Sequence, residues 1–459
     1  MSSFRSSAIA RCCAIASSIT LLVSCGGGDE APVAPSPPQP EAPVAPPAPE
    51  PEKPVATHAI GGTLSGITSG KLVLQNNAGD DITLTADGKF SFATPVKEGG
   101  AYAVTVRTQP LWQFCNVSNG SGSVTAEVTG VTVSCAEAQA TVSTLAGSGT
   151  EGKLDGNGLS AEFARPRGVR VDSTGTLYVT DTRYKLIRKV SPSGAVTTMA
   201  GNGAGGTLSD PFDLALDAAG NIYLTELMGN TVRKVTPTGV VSTLAGSGSF
   251  SSVDGNGTSA SFNQPSGIAF DAQGNLFVGD SQGQKIRKVA PDLEVSTFAG
   301  SGAQGTADGT GTNATFSVPA GIAFDAAGNM LVTEFGSHVI RKITPQGVVT
   351  TPFGKRSTSG SVDGTGNDAT FSFPVGIAID SSGSIYVANS TTHVIRRITP
   401  DGMVKTLAGT PGRSGAKDDV GPAASFNTPY GVAVDAAGNV YVADQFNHKI
   451  RKITPTPAP

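Results

Sequence analysis

Six times along the chain one pattern returns. The segments ARPRGVRVDSTGTLYVTD, SDPFDLALDAAGNIYLTE, NQPSGIAFDAQGNLFVGD, SVPAGIAFDAAGNMLVTE, SFPVGIAIDSSGSIYVAN and NTPYGVAVDAAGNVYVAD align on Pro166, Pro211, Pro265, Pro319, Pro374 and Pro429. Most intervals between these prolines are 54 or 55 residues, and the first is 45. Each segment leads into a basic run (LIRKV, TVRKV, KIRKV, VIRKI, VIRRI, KIRKI), then a turn such as TPTG, then VSTLAG, VSTFAG or VTTPFG. Short alternating runs joined by turn residues are strands, and four per repeat is the pattern of a propeller blade. The sixth unit ends at KITPTPAP without its fourth strand, whereas Val142 to Gly147 reads VSTLAG with no repeat before it. That orphan strand is expected to complete the last blade and close the ring, which removes the open sheet edges that invite aggregation.

The motif D-x-x-G-N-[ILV]-Y-V-[AT]-D, followed by N-H-[KV]-I-R-K, resembles the NHL repeat, and the likeness runs through all six units over about 320 residues. The resemblance implies an all-β, six-bladed β-propeller over residues 139–459. NHL propellers include binding modules, and propellers of similar shape include lyases and lactonases. Function therefore has to be argued from a site.

The N-terminus reads as an address. Arg5 and Arg11 precede an apolar run from Cys12 to Val23, too short to span a bilayer and typical of a signal segment over residues 1–24. The ending LVSC resembles a bacterial lipobox, which implies cleavage before Cys25 and lipidation of Cys25. Gly26 after it, rather than Asp, implies the outer membrane, at its periplasmic or its outer face. With the leader's two arginines removed the formal charge moves from −4 to −6, because residues 1–24 hold no Asp or Glu. A mildly acidic chain lacks the basic face that nucleic acid requires. Residues 25–56 are dense in proline, and their extended backbone makes a semi-rigid tether. Residues 57–138 carry short alternating runs (LVLQ, ITLT, FSFA, YAVTV, VTAEV, VTVSC) that predict a small antiparallel β-sandwich, similar to the Ig-like modules of bacterial surface lipoproteins. Cys115 and Cys135 are the one cysteine pair inside a folded segment. Export brings them to an oxidising compartment, and a disulfide there is expected to stabilise by roughly 3 kcal/mol.

Several repeated side chains invite a chemical reading. His338, His393 and His448 share one slot in consecutive repeats, but equivalent atoms in adjacent blades stand roughly 12–17 Å apart at the radius of the second or third strand, given about 4.8 Å per strand. Zinc holds its nitrogens about 2 Å away, so polar turn residues are the expectation, as with Lys185, Asn230 and Gln284 in the same slot. The ladder Arg188, Arg233, Arg287, Arg341, Arg396 and Arg451 reads either as an anion site or as pairing with the preceding strand's Asp181, Glu226, Asp280, Glu334, Asn389 or Asp444. The Asp-Gly loops at Asp155, Asp254, Asp308, Asp363 and Asp418-Asp419 each precede a Phe (Phe163, Phe262, Phe316, Phe371, Phe426). One carboxylate per loop is thin for calcium, and the expected role is a turn with Phe filling the groove between blades. No nucleophile–base pair, metal motif or cofactor loop is visible in the sequence, so no metal or cofactor is assigned.

One place breaks the repeat. From the fourth-strand glycine to the next proline the chain takes 19 or 20 positions, but Gly201 to Pro211 takes 10. Beside it, Arg170 stands where the other five repeats have Ala, and Asp213 where the others have Gly. A charge near the axis needs a partner, because burying it alone costs several kcal/mol. Arg170 and Asp213 are expected to pair at the mouth of the channel. Arg165, Arg167, Asp210, Phe212 and Tyr430 are expected to line a concave opening suited to a glycan or peptide. The expectation is thus a ligand-binding or protein-interaction propeller of the cell envelope, with an envelope protein, peptide or glycan as partner. The alternative is a lyase- or lactonase-like enzyme acting on a carbohydrate or small envelope substrate.

Overall fold

The computed structural model of the chain describes residues 53–68, 70–201 and 207–458, with isolated positions 34, 35 and 38. The leader, Cys25 and nearly all of the proline-rich tether lie outside the described residues.

From residue 139 onward the described chain forms six antiparallel sheets. In blade one the strands Pro166–Val171, Leu177–Asp181, Leu186–Val190 and Ala195–Ala200 run from the axis outwards. Blades two to five repeat this from Pro211, Pro265, Pro319 and Pro374. Blade six takes Pro429–Val434, Val440–Asp444 and Lys449–Thr456 from the end of the chain and Gln139–Ala146 from its middle. Val142 pairs with Ile453 in antiparallel register, so the orphan VSTLAG strand sits where the repeat count places it. The six first strands touch in order around the axis, and Pro429–Val434 closes on Pro166–Val171.

Local chemistry explains the blades. In the turn after the first strand, Asp172 accepts the amides of Thr174 and Thr176, and Gly175 takes φ 81°, where a side chain is strained. The faces between blades are apolar: Val169, Leu177 and Val179 of blade one pack with Ala443 and Ile450 of blade six around Phe163. At the axis glycine is required in the blades that pack backbone against backbone there. A Cβ on Gly267 would strike the Ala320 carbonyl, one on Gly321 the Val375 carbonyl, and one on Gly431 the Arg167 carbonyl.

Residues 57–137 form two four-stranded sheets, alongside a two-stranded pair, around Ile60, Leu64, Leu72, Leu74, Val104 and Val131. The sequence predicts an antiparallel sandwich. The structure differs in one pairing, since Ile60–Ser65 and Val128–Glu137 run parallel. These strands are separated by more than sixty residues and joined by a long crossover, which parallel pairing requires, rather than by a hairpin. Cys115 and Cys135 lie directly opposite each other on neighbouring strands and form a disulfide.

The sandwich is seated on the propeller. Trp112 is 1 % exposed and packs with Ala140, Val142, Tyr386 and Val432 in one core cluster. Its ring lies 6.1 Å from that of Tyr386, and the Arg397 guanidinium lies 5.3 Å over it. It also abuts Gly438 in the blade-six turn, on the face opposite the loops that precede each proline.

Candidate functional site

Most repeated polar groups are consumed by the architecture. Arg188 is fully buried. Its Nη1 bonds Asp181 at 3.0 Å, its Nη2 bonds Asp155 at 2.8 Å, and its guanidinium lies 5.2 Å from the Phe163 centroid. The same set of loop carboxylate, guanidinium and ring recurs as Asp254–Arg287–Phe262, Asp308–Arg341–Phe316, Asp363–Arg396–Phe371 and Asp418–Arg451–Phe426. The Asp-Gly carboxylates are thus bound to arginine, and each Phe fills the groove between blades. Burial pushes the Asp155 carboxyl up, but the amide and hydroxyl of Thr198 and the Arg188 guanidinium outweigh it and hold the group below the usual carboxylate range.

The ladder arginines pair with the preceding strand in five blades. Blade five departs from this. Asn389 accepts the Ser372 amide and donates to Ser361 and Thr392, while Arg396 keeps only the bonds its counterparts also make, to Asp363 and the carbonyls of Thr370 and Val362. An amide carries no charge to hold a guanidinium.

The three histidines occupy left-handed turn positions, with φ between 57° and 63°. Each Nδ1 accepts a backbone N–H from the next blade: Phe373 to His338 at 3.2 Å, Thr428 to His393 at 3.0 Å and Arg165 to His448 at 3.2 Å. Asn230 and Gln284 do the same with their side-chain oxygens for Gln264 and Val318. Burial lowers the pKa of all three rings.

The channel mouth is different. Just after each repeat proline stand Arg167, Phe212, Ser266, Ala320, Val375 and Tyr430, so the large side chains gather on blades six, one and two. The Arg167 guanidinium lies 5.2 Å from the Phe212 centroid and 5.5 Å from that of Tyr430. The two rings meet edge to face at 5.4 Å. Asp210 stays 3.8 Å from Arg167, beyond hydrogen-bond reach, and Arg167 Nε and Nη1 have no hydrogen-bond partner among the described residues. Burial pushes the Tyr430 phenol up to about 12, with Arg167 opposing and the two aspartates adding to the rise. Burial likewise raises the carboxyls of Asp210 and Asp213 against the pull of Arg167 and Arg170 respectively.

Below the mouth, Arg170 and Asp213 meet at 2.9 Å. Arg170 also donates to its neighbour's Val169 carbonyl and reaches the Ile268 carbonyl of blade three at 3.5 Å. Here the concave opening expected from the short loop is corrected. The side chains fill the throat, leaving a cavity of about 10 Å³, room for one water at most. Arg165 is also set apart from the others, exposed on the rim with its guanidinium 5.4 Å over the Phe446 ring. Among the described residues no three His, Cys, Asp or Glu side chains gather as a metal site would need. The throat does not fit a divalent cation, because Arg170 already supplies the positive charge beside Asp213.

Residues 77–359, more than half of the chain, match the SMP-30/gluconolactonase/LRE-like region. The chain belongs to that family. Residues 371–398, in blade five, match the NHL repeat. Among curated relatives, the chain is 28 % identical over 218 residues to the chloroplastic protein SUPPRESSOR OF QUENCHING 1 of Arabidopsis thaliana, covering 44 % of this chain and 21 % of that one. It is 30 % identical over 241 residues to NHL repeat-containing protein 2 of Bos taurus, covering 44 % and 32 %. The match thus spans less than a third of those relatives' length. Among solved structures, a protein of unknown function from Bacteroides thetaiotaomicron has a TM-score of 0.58 at 19 % identity, covering 88 % of this chain and 99 % of that one. An auxiliary nutrient binding protein from the same organism has a TM-score of 0.56 at 16 % identity, with 89 % and 99 % covered. These likenesses show the fold. Within the family's propeller, Ile268 and the histidine-to-backbone bonds went unread in the sequence, the first because a carbonyl leaves no trace in residue type. The second had a signal in the recurrence of His, Asn and Gln at one slot.

Proposed function

We propose that the chain is a cell-envelope lipoprotein whose propeller binds the end of a peptide or glycan across the axial mouth. The observation that carries this reading is the posture of Arg167. Two aromatic rings hold its guanidinium, the carboxylate of Asp210 stays 3.8 Å away, and the side chain is 23 % exposed. A planar cation fixed in this way by Phe212 and Tyr430 is preorganised for a carboxylate or a sugar hydroxyl that approaches its exposed part. Since the throat is filled, the ligand lies over the mouth, where Arg165 and Asp210 extend the contact. The solved nutrient binding neighbours share the fold alone at their low identity, so the reading rests on the mouth itself.

Family membership raises a second reading, hydrolysis of a sugar lactone. That chemistry needs a base or a metal to activate water. The throat's carboxylate, Asp213, is already held by Arg170, which favours binding over catalysis.

The test is capture from envelope extract on the immobilised full chain, compared with Arg167→Ala and Tyr430→Ala. Both variants are expected to keep the wild-type melting temperature and to lose the captured ligand. Capture unchanged by both removes the mouth as the site. Sugar-lactone turnover by wild type that disappears in Asp213→Asn selects the enzyme instead.

A further inference from the structure

The outer edge of the propeller carries a second irregularity. In blade one the outermost strand Ala195–Ala200 is covered by Gly156–Asn157, and Asp155 accepts both the amide and the hydroxyl of Thr198, at 3.0 and 2.9 Å. Blade three repeats this with Gly255–Asn256 and Asp254 on Thr297. Blade four uses Gly309–Thr310 and Asp308 on the Thr351 hydroxyl, and blade five uses Gly364–Thr365 and Asp363 on that of Thr406. In blade six Asp418 accepts from Thr144, and Val142 donates to the Asp419 carbonyl. Each covering segment comes from the long loop before the repeat proline, and its Asp also bonds the ladder arginine.

Blade two has the short loop, and among the described residues its sheet has four strands, ending with Val241–Ala245. Thr243 lies opposite Arg233 in the register that Thr198 shares with Arg188, so its N–H faces the open edge. Its hydroxyl has no hydrogen-bond partner among the described residues. Arg233 uses Nη1 for Glu226 at 2.9 Å and Nε for the Ser242 carbonyl at 3.3 Å, but Nη2, the atom that elsewhere holds the loop Asp, bonds nothing among the described residues. Arg233 is 18 % exposed where the other five ladder arginines are fully buried, and Leu208 stands in the slot of the buried Phe. Val240 beside the edge is exposed.

We propose that this edge is a docking site for an extended acidic segment of a second protein. The segment adds a strand antiparallel to Val241–Ala245 and sets an Asp between Arg233 Nη2 and the Thr243 N–H and hydroxyl. Strand addition at a free edge supplies main-chain bonds, and a charged pocket supplies selectivity. Charge and the five filled edges identify the occupant. Everywhere else this chain answers the same arginine and threonine with its own Asp-bearing strand, and here its loop is too short to do so.

The probe is a fluorescent peptide with the sequence of residues 151–160, EGKLDGNGLS, titrated into the full chain and read by anisotropy. An Asp-to-Asn peptide serves as control. The Asp peptide is expected to bind, and the Asn peptide to bind about tenfold more weakly or worse, as befits a lost charge-assisted hydrogen bond. Arg233→Gln is expected to cause a similar loss. Thr243→Val, which keeps the strand and leaves Glu226 paired, is expected to weaken binding severalfold at an unchanged melting temperature. No binding overturns the proposal. So does equal affinity for the two peptides, or binding indifferent to both substitutions. A dimer of the chain that the Asp peptide dissociates overturns it as well, by giving the edge to a second copy.

Discussion

Arg170 and Asp213, on neighbouring blades, hold an ion pair of 2.9 Å at the two axial positions where every other repeat has Ala and Gly. Removing one partner strands the other in a site with almost no water. Arg170→Ala is expected to cost about 3 kcal/mol in urea unfolding, because Asp213 then stays buried and unpaired. The double variant R170A/D213G, which restores the residues of the other repeats, is expected to recover most of that loss. Additive losses from the two substitutions would show that the pair is not coupled.

The histidine-to-backbone bonds predict a pH dependence. Burial lowers the folded pKa of His338, His393 and His448, so the fold selects neutral imidazole, whose Nδ1 accepts the next blade's amide. Their contribution is complete above the unfolded value of about 6.5 and is lost as pH falls from there towards the lowered folded values. Each protonated ring gives up about 1 kcal/mol of hydrogen bonding. Asp181 and Asp444, pushed up to about 6 by burial, act in the opposite sense and add stability as pH falls from about 6 towards 4. The contrast with H338Q/H393Q/H448Q isolates the imidazoles, since Gln284 already makes the same bond. Thermal melts from pH 7.5 to 5 are expected to fall more steeply for the natural chain than for the triple variant.

Ring closure predicts the effect of truncation. A chain beginning at residue 150 lacks Gln139–Ala146, which buries Val142 and Ala146 and pairs with Lys449–Thr456. Beside a chain beginning at 139, it is expected to melt at lower temperature and to aggregate through the bared edge. Equal melting temperatures would sink closure by this strand.

The proposed lipid anchor predicts fractionation. Cys25→Ala is expected to move the protein out of the membrane fraction, because under that proposal acyl chains on Cys25 supply the attachment. Retention in membranes after a high-salt wash would overturn the anchor.

Periodicity made the blades and the closing strand legible, because each strand repeats its residue types at nearly fixed intervals. Arg170 and Asp213 were legible for the opposite reason, as residues that break a rule five neighbours obey. The filled throat was not, since only packing shows that Arg167, Phe212 and Tyr430 pile on one another instead of standing around a hollow. Trp112 was equally silent. A lone aromatic in a sandwich loop gives no sign that it belongs to the core of blades five and six. The short loop before Pro211 was visible as a number, but its consequence for Thr243, some thirty residues later, follows from a register that only the folded sheet supplies.

The closing strand also sets how the molecule bears load. Residue 139 enters blade six from the face that seats Trp112, and the strand then climbs towards the mouth. Tension between the mouth, where a ligand is proposed to be held, and the N-terminal end therefore runs along this strand, while its hydrogen bonds to Lys449–Thr456 lie crosswise. Such a pull must shear the whole seam together, where a peeling force would open it one rung at a time.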